Sequence, residues 1–339
     1  MVKQVVISKY GKPEVLKVQE VALPEPKSGQ IRIRVRAAGV AFADILMRIG
    51  LYPNAPRPPF VPGYDVAGEI EAIAEGVSGF VLGQRVVAMT QFGGYQSAVT
   101  VDASLAVAIP DSINFIQAIP LVLNYLTAYQ MLTRIARVQA GEQILVHGAA
   151  GGVGTALLEL AGLMKLKSWG TASKAKHHII EGYGASLIDY KTKDFVQAVQ
   201  SQTEDGVDVV FDAIGGKNWQ KSLRVLRPGG RLIGYGFSAA APNGRKNLVS
   251  MVAALVRSPR LSPLDMLSLN IGILGYSVGI LRDRRRDWYR EDLLTLLELC
   301  SQGKLKPVIS ETFPLSKAVD AHRLLSQSKV VGKLVLTEG

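Results

Sequence analysis

The stretch HGAAGGVGTALLEL, from His147 to Leu160, decides how the middle of this chain folds. Three of its glycines, Gly148, Gly151 and Gly154, are spaced three apart between an apolar run and a run with helical periodicity. Glycine allows a tight turn between a strand and a helix, and the helix N-terminus then presents unpaired N–H groups and a positive dipole end. We therefore predict that this turn binds a pyrophosphate; the alternative is a strand-to-helix turn with no ligand.

The segments around this turn alternate between short apolar runs and helical patterns. The predicted strands are EQILVHG, WGTA, VDVVFDAIGG, GGRLIGYGF and NIGILGY, and the predicted helices are LVLNYLTAYQMLTRI, TALLELAGLM, KHHIIEGYG and NWQKSLRVL. The turn departs from the strict G-x-G-x-x-G spacing, so its assignment depends on this context. The alternation predicts an α/β fold with a parallel, doubly wound sheet of the Rossmann type.

The two ends of the chain have a different pattern. Before about residue 120, IRIRVRAAGV alternates apolar and charged residues as a half-buried strand does, and VAGEIEAIAEGV and QRVVAMT are similar. The proline-dense LYPNAPRPPFVPG predicts an extended surface loop. After residue 279 we expect two helices, a strand near Val308 and a closing strand, GKLVLTEG. A length of 339 residues fits two domains of about 150 residues each.

The composition predicts a folded, soluble protein. Hydrophobic residues make up 48% of the chain and charged residues 20%, which is sufficient for packed cores. The only cysteine is Cys300, so we expect no disulfides and a cytoplasmic location. We expect neither a signal peptide in MVKQVVISKY nor a transmembrane segment, because no apolar run approaches about 20 residues.

The excess of basic residues indicates attraction to anions but does not identify a particular partner. The net charge is +11, and the basic residues are scattered apart from a run between Arg282 and Arg290. Asp283 and Asp287 interrupt this run, and we interpret it as a solvated helix face. Because no interleaved aromatic residues offer a stacking platform, we expect no specific nucleic-acid partner.

The residues after the predicted second strand indicate which nucleotide binds. NAD-preferring sites place Asp or Glu about 20 residues past the glycines, where it accepts hydrogen bonds from the ribose hydroxyls. Here the segment from Trp169 to Lys176 reads WGTASKAK and contains no acid. A carboxylate would repel a 2′-phosphate, whereas the hydroxyl of Ser173 and the ammonium of Lys174 attract it, so we predict NADPH as the cofactor. The alternative is that Lys174 is an ordinary surface lysine.

At this point the residues identify a family. HGAAGGVG, GTASKAK, NYLTAY and the loop VAFADILMRIGLYP followed by VPGYDVAGEI resemble the zinc-free quinone oxidoreductase branch of the medium-chain dehydrogenase/reductases. Within that branch the chain is most similar to the vesicle amine transport protein homologues, which share a longer stretch at residues 243–271. The resemblance implies a GroES-like, β-rich catalytic domain of residues 1–120 and 279–339 around a Rossmann domain of residues 121–278. It also implies NADPH, a homodimer, and an active site between the domains.

The resemblance also implies roles for individual residues. The cofactor-binding residues it implies, from the pyrophosphate turn to the remainder of the cofactor path, are Ala150, Gly151, Gly152, Val153, Gly154, Gly170, Ser173, Lys174, Tyr190, Gly215, Gly234, Tyr235, Gly236, Phe237, Gly275, Tyr276 and Ser277. Tyr52, Asp44 and Thr127 would face the nicotinamide end. Tyr52 would donate a proton or only pack over the cofactor, and Asp44 would orient the loop.

The same comparison argues against zinc. Zinc-using relatives place a histidine where this chain has Gly63, Tyr64 and Asp65, and four histidines with one remote cysteine cannot supply the usual zinc ligands. We expect no bound metal. Hydride transfer without a Lewis acid favours a quinone or an α,β-unsaturated carbonyl, whose conjugation spreads the developing charge. Relatives usually carry Asn where this chain has Ala41, so we expect weaker anchoring of substrate there.

Three functions remain open from the sequence. The first is an NADPH-dependent reductase of small-molecule quinones or enones. The second is a 2-enoyl thioester reductase, which would use a tyrosine at a position like that of Tyr52. The third is an NADPH-binding interaction protein, because the apolar segment from Leu248 to Leu269 could be a lid, a partner surface or a shallow membrane contact. We interpret that segment as a lid or packing element, and His147 as structural rather than a general base.

Overall fold

The computed structural model describes residues 1–338, apart from the side chain of Asn243. The chain forms two compact units, and each contains its own β-sheet. The first unit contains Met1–Leu126, Asn243–Arg245 and the C-terminal segment from Val278, and the second contains Thr127–Pro242 and Lys246–Ser277.

The strands are numbered in chain order. They are β1 (Val2–Ile7), β2 (Leu16–Val21), β3 (Gln30–Val40), β4 (Asp65–Ile73), β5 (Arg85–Met89), β6 (Ala98–Asp102), β7 (Ala106–Ala108), β8 (Gln143–His147), β9 (Lys167–Ala172), β10 (Ser186–Asp189), β11 (Val207–Asp212), β12 (Leu226–Gly234), β13 (Gly272–Gly275), β14 (Ile309–Pro314) and β15 (Lys333–Thr337).

The α-helices are numbered in the same way. They are α1 (Phe42–Arg48), α2 (Phe115–Pro120), α3 (Leu126–Gln130), α4 (Gly152–Leu163), α5 (His177–Ile180), α6 (Phe195–Gln200), α7 (Lys217–Leu223), α8 (Leu248–Val256), α9 (Pro263–Leu269), α10 (Val278–Arg284), α11 (Arg286–Ser301) and α12 (Ala318–Ser326). The helix predicted for LVLNYLTAYQMLTRI is continuous with α3, but π-helical turns at Leu121–Tyr125 and Met131–Ile135 flank it.

The sheet of the second unit confirms the predicted doubly wound α/β fold. Its strands lie in the order β10-β9-β8-β11-β12-β13, and every neighbouring pair is parallel. This is the Rossmann order, in which the direction of winding reverses between the first and fourth strands, here β8 and β11. Ligands of such sheets bind beyond the carboxyl ends of the strands at this switch point. The sequence analysis missed β10 and α6, because β10 is a short, partly exposed edge strand.

The first unit is β-rich, as its sequence predicts. One sheet has the order β14-β15-β3-β4-β5-β7 with β6 also paired to β3, and β1 and β2 form a separate antiparallel pair. The alternation in IRIRVR places Ile31, Ile33 and Val35 in the core, whereas Arg36 bonds Glu69 across the sheet at 2.8 and 3.0 Å. The loop and helix α1 that follow β3 carry Asp44 and Tyr52.

A buried ion pair joins β4 to β15 across β3. The Lys333 ammonium lies 2.9 and 3.2 Å from the two Asp65 carboxylate oxygens, and both side chains are buried. A Cβ at Gly39 of β3 would lie 2.5 Å from the Asp65 carboxylate, so the glycine leaves space for the pair. Burial raises the pKa of Asp65, and Lys333 opposes that shift without cancelling it.

Replacing Lys333 with Met should destabilise the fold by about 3–5 kcal/mol, because Asp65 would stay buried without a counter-charge. When the pKa of an acid is higher in the folded than in the unfolded protein, the free energy of unfolding decreases as the pH rises above the unfolded-state pKa, because only the unfolded chain then ionises freely. The deficit should therefore grow from about pH 4 towards neutrality, as measured by urea unfolding. Lys304→Met, at an exposed lysine, is the control; equal losses in both variants would contradict the pairing.

Candidate functional site

The glycine turn of the second unit connects β8 to α4. Gly148 has φ +66°, and its carbonyl accepts the Gly151 N–H at 2.8 Å. A Cβ at Gly154 would lie 2.7 Å from the Ala149 backbone, so the first turn of α4 packs directly on the loop. The positive φ at Gly148 and the close approach at Gly154 both favour glycine, as the sequence predicts.

The N-terminus of α4 fits a pyrophosphate. Within the described residues no side chain caps this helix, whose N-cap residue is Gly151. The backbone N–H groups of Gly152, Val153 and Gly154 therefore head a helix of 12 residues at the switch point of the sheet. Such an end offers hydrogen-bond donors and a positive dipole to an anion.

A buried chain of hydrogen bonds connects this turn to the loop after β11. The Gly148 N–H donates to Thr171 Oγ1 at 3.4 Å, and Thr171 Oγ1 lies 3.0 Å from His147 Nδ1. His147 Nε2 lies 3.1 Å from Ser222 Oγ, which donates to Asp212 at 2.8 Å. Burial lowers the pKa of His147 despite the nearby Asp212, so the imidazole is neutral. Its two nitrogens are engaged in this chain, which makes His147 a structural residue.

At the other end of this hydrogen-bonded chain, Asp212 holds the loop that contains Gly215. Asp212 accepts the N–H groups of Ile214 and Gly215 at 2.7 and 3.2 Å and the amide of Asn218 at 2.7 Å. Gly215 has φ +81°, and a Cβ there would lie 2.7 Å from the ring of Phe237. The structure thus brings two predicted cofactor-binding residues into contact.

The remaining predicted residues at this side follow the ends of β12 and β13. Gly234 is the last residue of β12, and Tyr235 donates its N–H to Asp212 O at 3.2 Å. A Cβ at Gly236 would lie 2.8 Å from the carbonyl oxygen of residue 213. Tyr276, between Gly275 and Ser277, donates its hydroxyl to Gln130 at 2.8 Å. These residues form the carboxyl edge of the parallel sheet.

The end of β9 carries a cluster of lysines. Gly170 packs on Ala149, where an added Cβ would lie 2.8 Å from the Ala149 methyl group. Lys174 is exposed directly after Ser173, and desolvation followed by repulsion from Lys191 lowers the pKa of Lys176. These cations surround the region expected for a 2′-phosphate.

An acid lies close to this cluster, on a strand that the sequence analysis missed. Asp189, at the end of β10, accepts the Thr192 hydroxyl at 3.0 Å, the Lys191 N–H at 3.2 Å and the backbone N–H of Lys174. Desolvation raises the pKa of Asp189, but these hydrogen bonds lower it overall. Its carboxylate is thereby occupied in holding the lysine turn, and the adjacent Tyr190 is 56% exposed.

Asp44 of the first unit is buried and holds two backbone segments together. It accepts the Ala41 N–H at 2.8 Å at the start of α1 and the Gly63 N–H at 3.2 Å, and the Tyr95 hydroxyl donates to it at 3.1 Å. Burial raises the pKa of Asp44 to about 7. Tyr95 also contacts His322 Nε2 at 3.1 Å. Asp44 is therefore placed to orient the loop.

Tyr52 is half-buried on the loop after α1. Its hydroxyl makes a short hydrogen bond with the Tyr64 hydroxyl, and its ring meets those of Tyr64 and Phe92 edge-on at 6.2 and 6.4 Å between centroids. Tyr52 and Asp44 thus lie in one unit, whereas Thr127, buried in α3, belongs to the other. Tyr64 was not identified from the sequence as a partner of Tyr52, because the two residues are 12 positions apart and belong to different elements.

The basic run is not wholly a solvated helix face. Arg282 is only 8% exposed; it donates to Met89 O at 3.2 Å and to Gln91 Oε1 at 3.0 Å. Arg286 bonds Asp102 at 2.8 Å but is exposed, as are Arg284 and Arg290. The prediction was wrong for Arg282, because alternating charge in sequence cannot reveal a neighbouring strand that carries acceptors.

Neither a metal cluster nor a membrane span is found in the described part of the chain. Across residues 1–338 no three His, Cys, Asp or Glu side chains converge as metal ligands. Likewise, within this range no helix has both the length and the apolarity to cross a membrane. Helices α8 and α9 nevertheless expose apolar side chains, including Val249 at 79% and Leu267 at 76%.

Comparisons with known proteins cover the whole chain. Residues 27–111 match the family described as alcohol dehydrogenase GroES-like domain, and residues 183–336 match zinc-binding dehydrogenase. The chain is 34% identical over 338 residues to the synaptic vesicle membrane protein VAT-1 homolog of Rattus norvegicus, covering 98% of this chain and 83% of that protein. It is 32% identical over 342 residues to the quinone oxidoreductase of Rattus norvegicus, covering 99% and 98%.

Solved structures give the same result. The quinone oxidoreductase of Pseudomonas syringae superposes with a TM-score of 0.87 at 28% identity, covering 99% of this chain and 100% of that chain. Mycobacterial Rv1454c, complexed with NADPH, has a TM-score of 0.87 at 27% identity, and the CurK enoyl reductase 0.85 at 27%; each covers 99% of both chains. Because relatives above 30% identity match nearly its whole length, the chain belongs to the medium-chain dehydrogenase/reductase superfamily of oxidoreductases, with VAT-1 homologs and quinone oxidoreductases among its relatives.

Proposed function

We propose that this protein is an NADPH-dependent reductase that transfers hydride to quinones or α,β-unsaturated carbonyls without a catalytic metal. In this proposal residues 121–278 bind the nucleotide, and residues 1–120 with 279–339 form the catalytic domain. The observation that carries the proposal is the uncapped N-terminus of α4, which lies at the switch point of the sheet. The segment WGTASKAK on the neighbouring strand and its turn contains lysines and no acid.

The chain provides separate groups for each part of the cofactor. The backbone from Ala150 to Gly154 would hold the pyrophosphate, and Ser173, Lys174 and Tyr190 the 2′-phosphate. Burial, followed by repulsion from Lys191, lowers the pKa of Lys176, and a bound anion would favour the charged ammonium against both effects. The other cofactor contacts would come from Gly170, Gly215, Gly234 to Phe237, and Gly275 to Ser277.

The catalytic groups of the proposal are Tyr52, Asp44 and Thr127. When bound, the reduced nicotinamide supplies the hydride. In this proposal Tyr52 supplies a proton to the reduced acceptor, Asp44 fixes the loop that carries Tyr52, and Thr127 would face the nicotinamide. The usual zinc ligands are scarce in this sequence, with four histidines and one cysteine, so a conjugated acceptor that delocalises its own charge suits the site best.

A second candidate is a 2-enoyl thioester reductase. It is favoured by the similarity to the CurK enoyl reductase and by a tyrosine on the loop after α1. A third, an NADPH-binding interaction protein, is favoured by the similarity to VAT-1 homologs and by the exposed apolar side chains of α8 and α9. We further propose a cytoplasmic location, because the chain has a single cysteine, and a homodimer, which the resemblance to the zinc-free quinone oxidoreductases implies.

One panel of acceptors distinguishes these functions. We expect NADPH oxidation with 9,10-phenanthrenequinone and with a small enone. The reaction is measured as the loss of absorbance of the reduced nicotinamide. Turnover with a crotonyl thioester alone would establish the second candidate instead. Tight NADPH binding without turnover on any acceptor would establish the third.

Lys174→Ala should weaken NADPH binding about 10-fold or more and leave NADH binding unchanged, because only NADPH carries the 2′-phosphate that the ammonium would bond. Titration calorimetry with both nucleotides measures the preference. Lys167→Ala is the matched control, since Lys167 is an exposed lysine at the opposite end of the same strand. An unchanged preference in Lys174→Ala would contradict the assignment.

Ala41→Asn tests whether the side-chain amide that relatives usually carry at this position would anchor the substrate. Asn is a favourable N-cap residue, and Ala41 occupies the N-cap of α1, so the variant should fold at least as stably as the parent. We expect a lower KM for the quinone because the amide adds an anchoring hydrogen bond. An unchanged KM in steady-state kinetics would mean that substrate is anchored elsewhere.

A further inference from the structure

The Tyr52 hydroxyl has a second tyrosine as its closest polar partner. Tyr64 makes a short hydrogen bond to it and is 3% exposed. Burial raises the pKa of Tyr64 well above that of an ordinary tyrosine, with further contributions from Tyr52 and Asp44. Either hydroxyl can donate while both are protonated, but once Tyr52 loses its proton only the Tyr64 O–H can donate, and the Tyr52 oxygen accepts.

A side-chain amide approaches the same oxygen. Burial raises the pKa of Tyr52, and the side chains of Tyr64 and then Gln91 oppose this rise without cancelling it, as hydrogen-bond donors to the phenolate do. The other charged groups that act on Tyr52 are Asp44, which raises its pKa, and Arg282, which lowers it. Tyr64, Gln91 and Arg282 therefore stabilise the deprotonated form of Tyr52, whereas burial and Asp44 destabilise it.

The orientation of the Gln91 amide is fixed from the far side. Arg282 has donors only, and its guanidinium donates to Gln91 Oε1 at 3.0 Å, so the amide N–H₂ group must point away from Arg282. The guanidinium itself is held by Met89 O at 3.2 Å and by Asp283 at 2.8 Å. Gln91 has φ +65°, and its backbone N–H donates to Tyr64 O at 3.1 Å. Its position is thus tied to both Tyr64 and α10.

We propose that Tyr64, Gln91 and Arg282 form a positioning network that makes Tyr52 the proton donor of the reduction. Tyr64 and the amide that Arg282 orients donate hydrogen bonds to the Tyr52 oxygen as its proton leaves. The inference rests on the reductase function proposed above and assigns the second chemical step to named residues.

The step balances in electrons and protons. The conjugated acceptor gains a hydride, with its electron pair, from NADPH and becomes an anion. The Tyr52 O–H bond then breaks, its proton bonds to that anion, and the electron pair stays on the Tyr52 oxygen. Tyr64 and Gln91 stabilise the resulting phenolate until it takes a proton from water, which the half-buried Tyr52 can reach.

The network can be tested without turnover. Incorporation of 3,5-difluorotyrosine at position 52 gives a phenol that ionises near neutral pH, and its ¹⁹F resonance follows the ionisation of that one side chain. Tyr64→Phe and Gln91→Leu should each raise the pKa at position 52 by about one to two units, because each removes one hydrogen bond to a charged oxygen. Arg282→Met should shift it in the same direction, because the amide loses its orientation and the cation is removed.

Tyr289→Phe is the matched control. This variant also removes a buried hydroxyl from the first unit. Tyr289 adjoins the network through Met89, but its hydroxyl accepts the Met89 N–H at 3.2 Å and donates to Leu105 O at 2.8 Å, so the variant removes no hydrogen bond to position 52. It should cost stability and leave the pKa at position 52 unchanged. An unchanged pKa in both Tyr64→Phe and Gln91→Leu, or an equal shift in Tyr289→Phe, would overturn the network.

Kinetics then separate this inference from the proposed function. With an enone that the parent enzyme reduces, Tyr64→Phe should lower kcat about 10- to 100-fold, increase the solvent deuterium isotope effect, and leave NADPH affinity unchanged. A parent enzyme inactive on every acceptor would refute the reductase function, while the ¹⁹F titration would still decide the network. A variant with the altered titration but with kcat and isotope effect unchanged would refute the role of Tyr52 as donor.

Discussion

The site of the second unit depends on one buried chain of hydrogen bonds, from Gly148 through Thr171, His147 and Ser222 to Asp212. These residues come from three parallel strands or the elements that directly follow them. A neutral imidazole at the centre links two hydroxyl groups that are otherwise remote in sequence. Because every donor in the chain has its acceptor, the two loops at the switch point are held in register with each other.

This hydrogen-bonded chain explains the role of the glycines in the loops after β8 and β11. The turn after β8 exposes backbone N–H groups only if the loop cannot rearrange to bond them internally, and the loop after β11 accepts Phe237 only at a residue without a side chain. The rigid chain beneath both loops supplies that restriction. The proposed cofactor would thus be bound largely by the backbone at these two loops.

The first unit uses buried polar groups differently. Asp44 joins the start of α1 to Gly63, and Asp65 pairs with Lys333 across β3. The Asp44 contacts fix the start of α1, which precedes the loop of Tyr52, and the Tyr52 hydroxyl bonds that of Tyr64. In the same unit the Arg282 guanidinium bonds the Gln91 amide.

The sequence by itself determined the class of fold and the glycine turn, because both follow from local periodicity and from the backbone freedom of glycine. It also indicated the lysine and hydroxyl after β9, since these lie next to one another in the chain. Only the tertiary structure revealed that Asp189 holds the lysine turn, that His147 connects two loops, and that Arg282 orients Gln91 beside Tyr52. Each of these contacts joins residues far apart in sequence, and hydrogen bonding between them depends on strand order and packing, which periodicity does not encode.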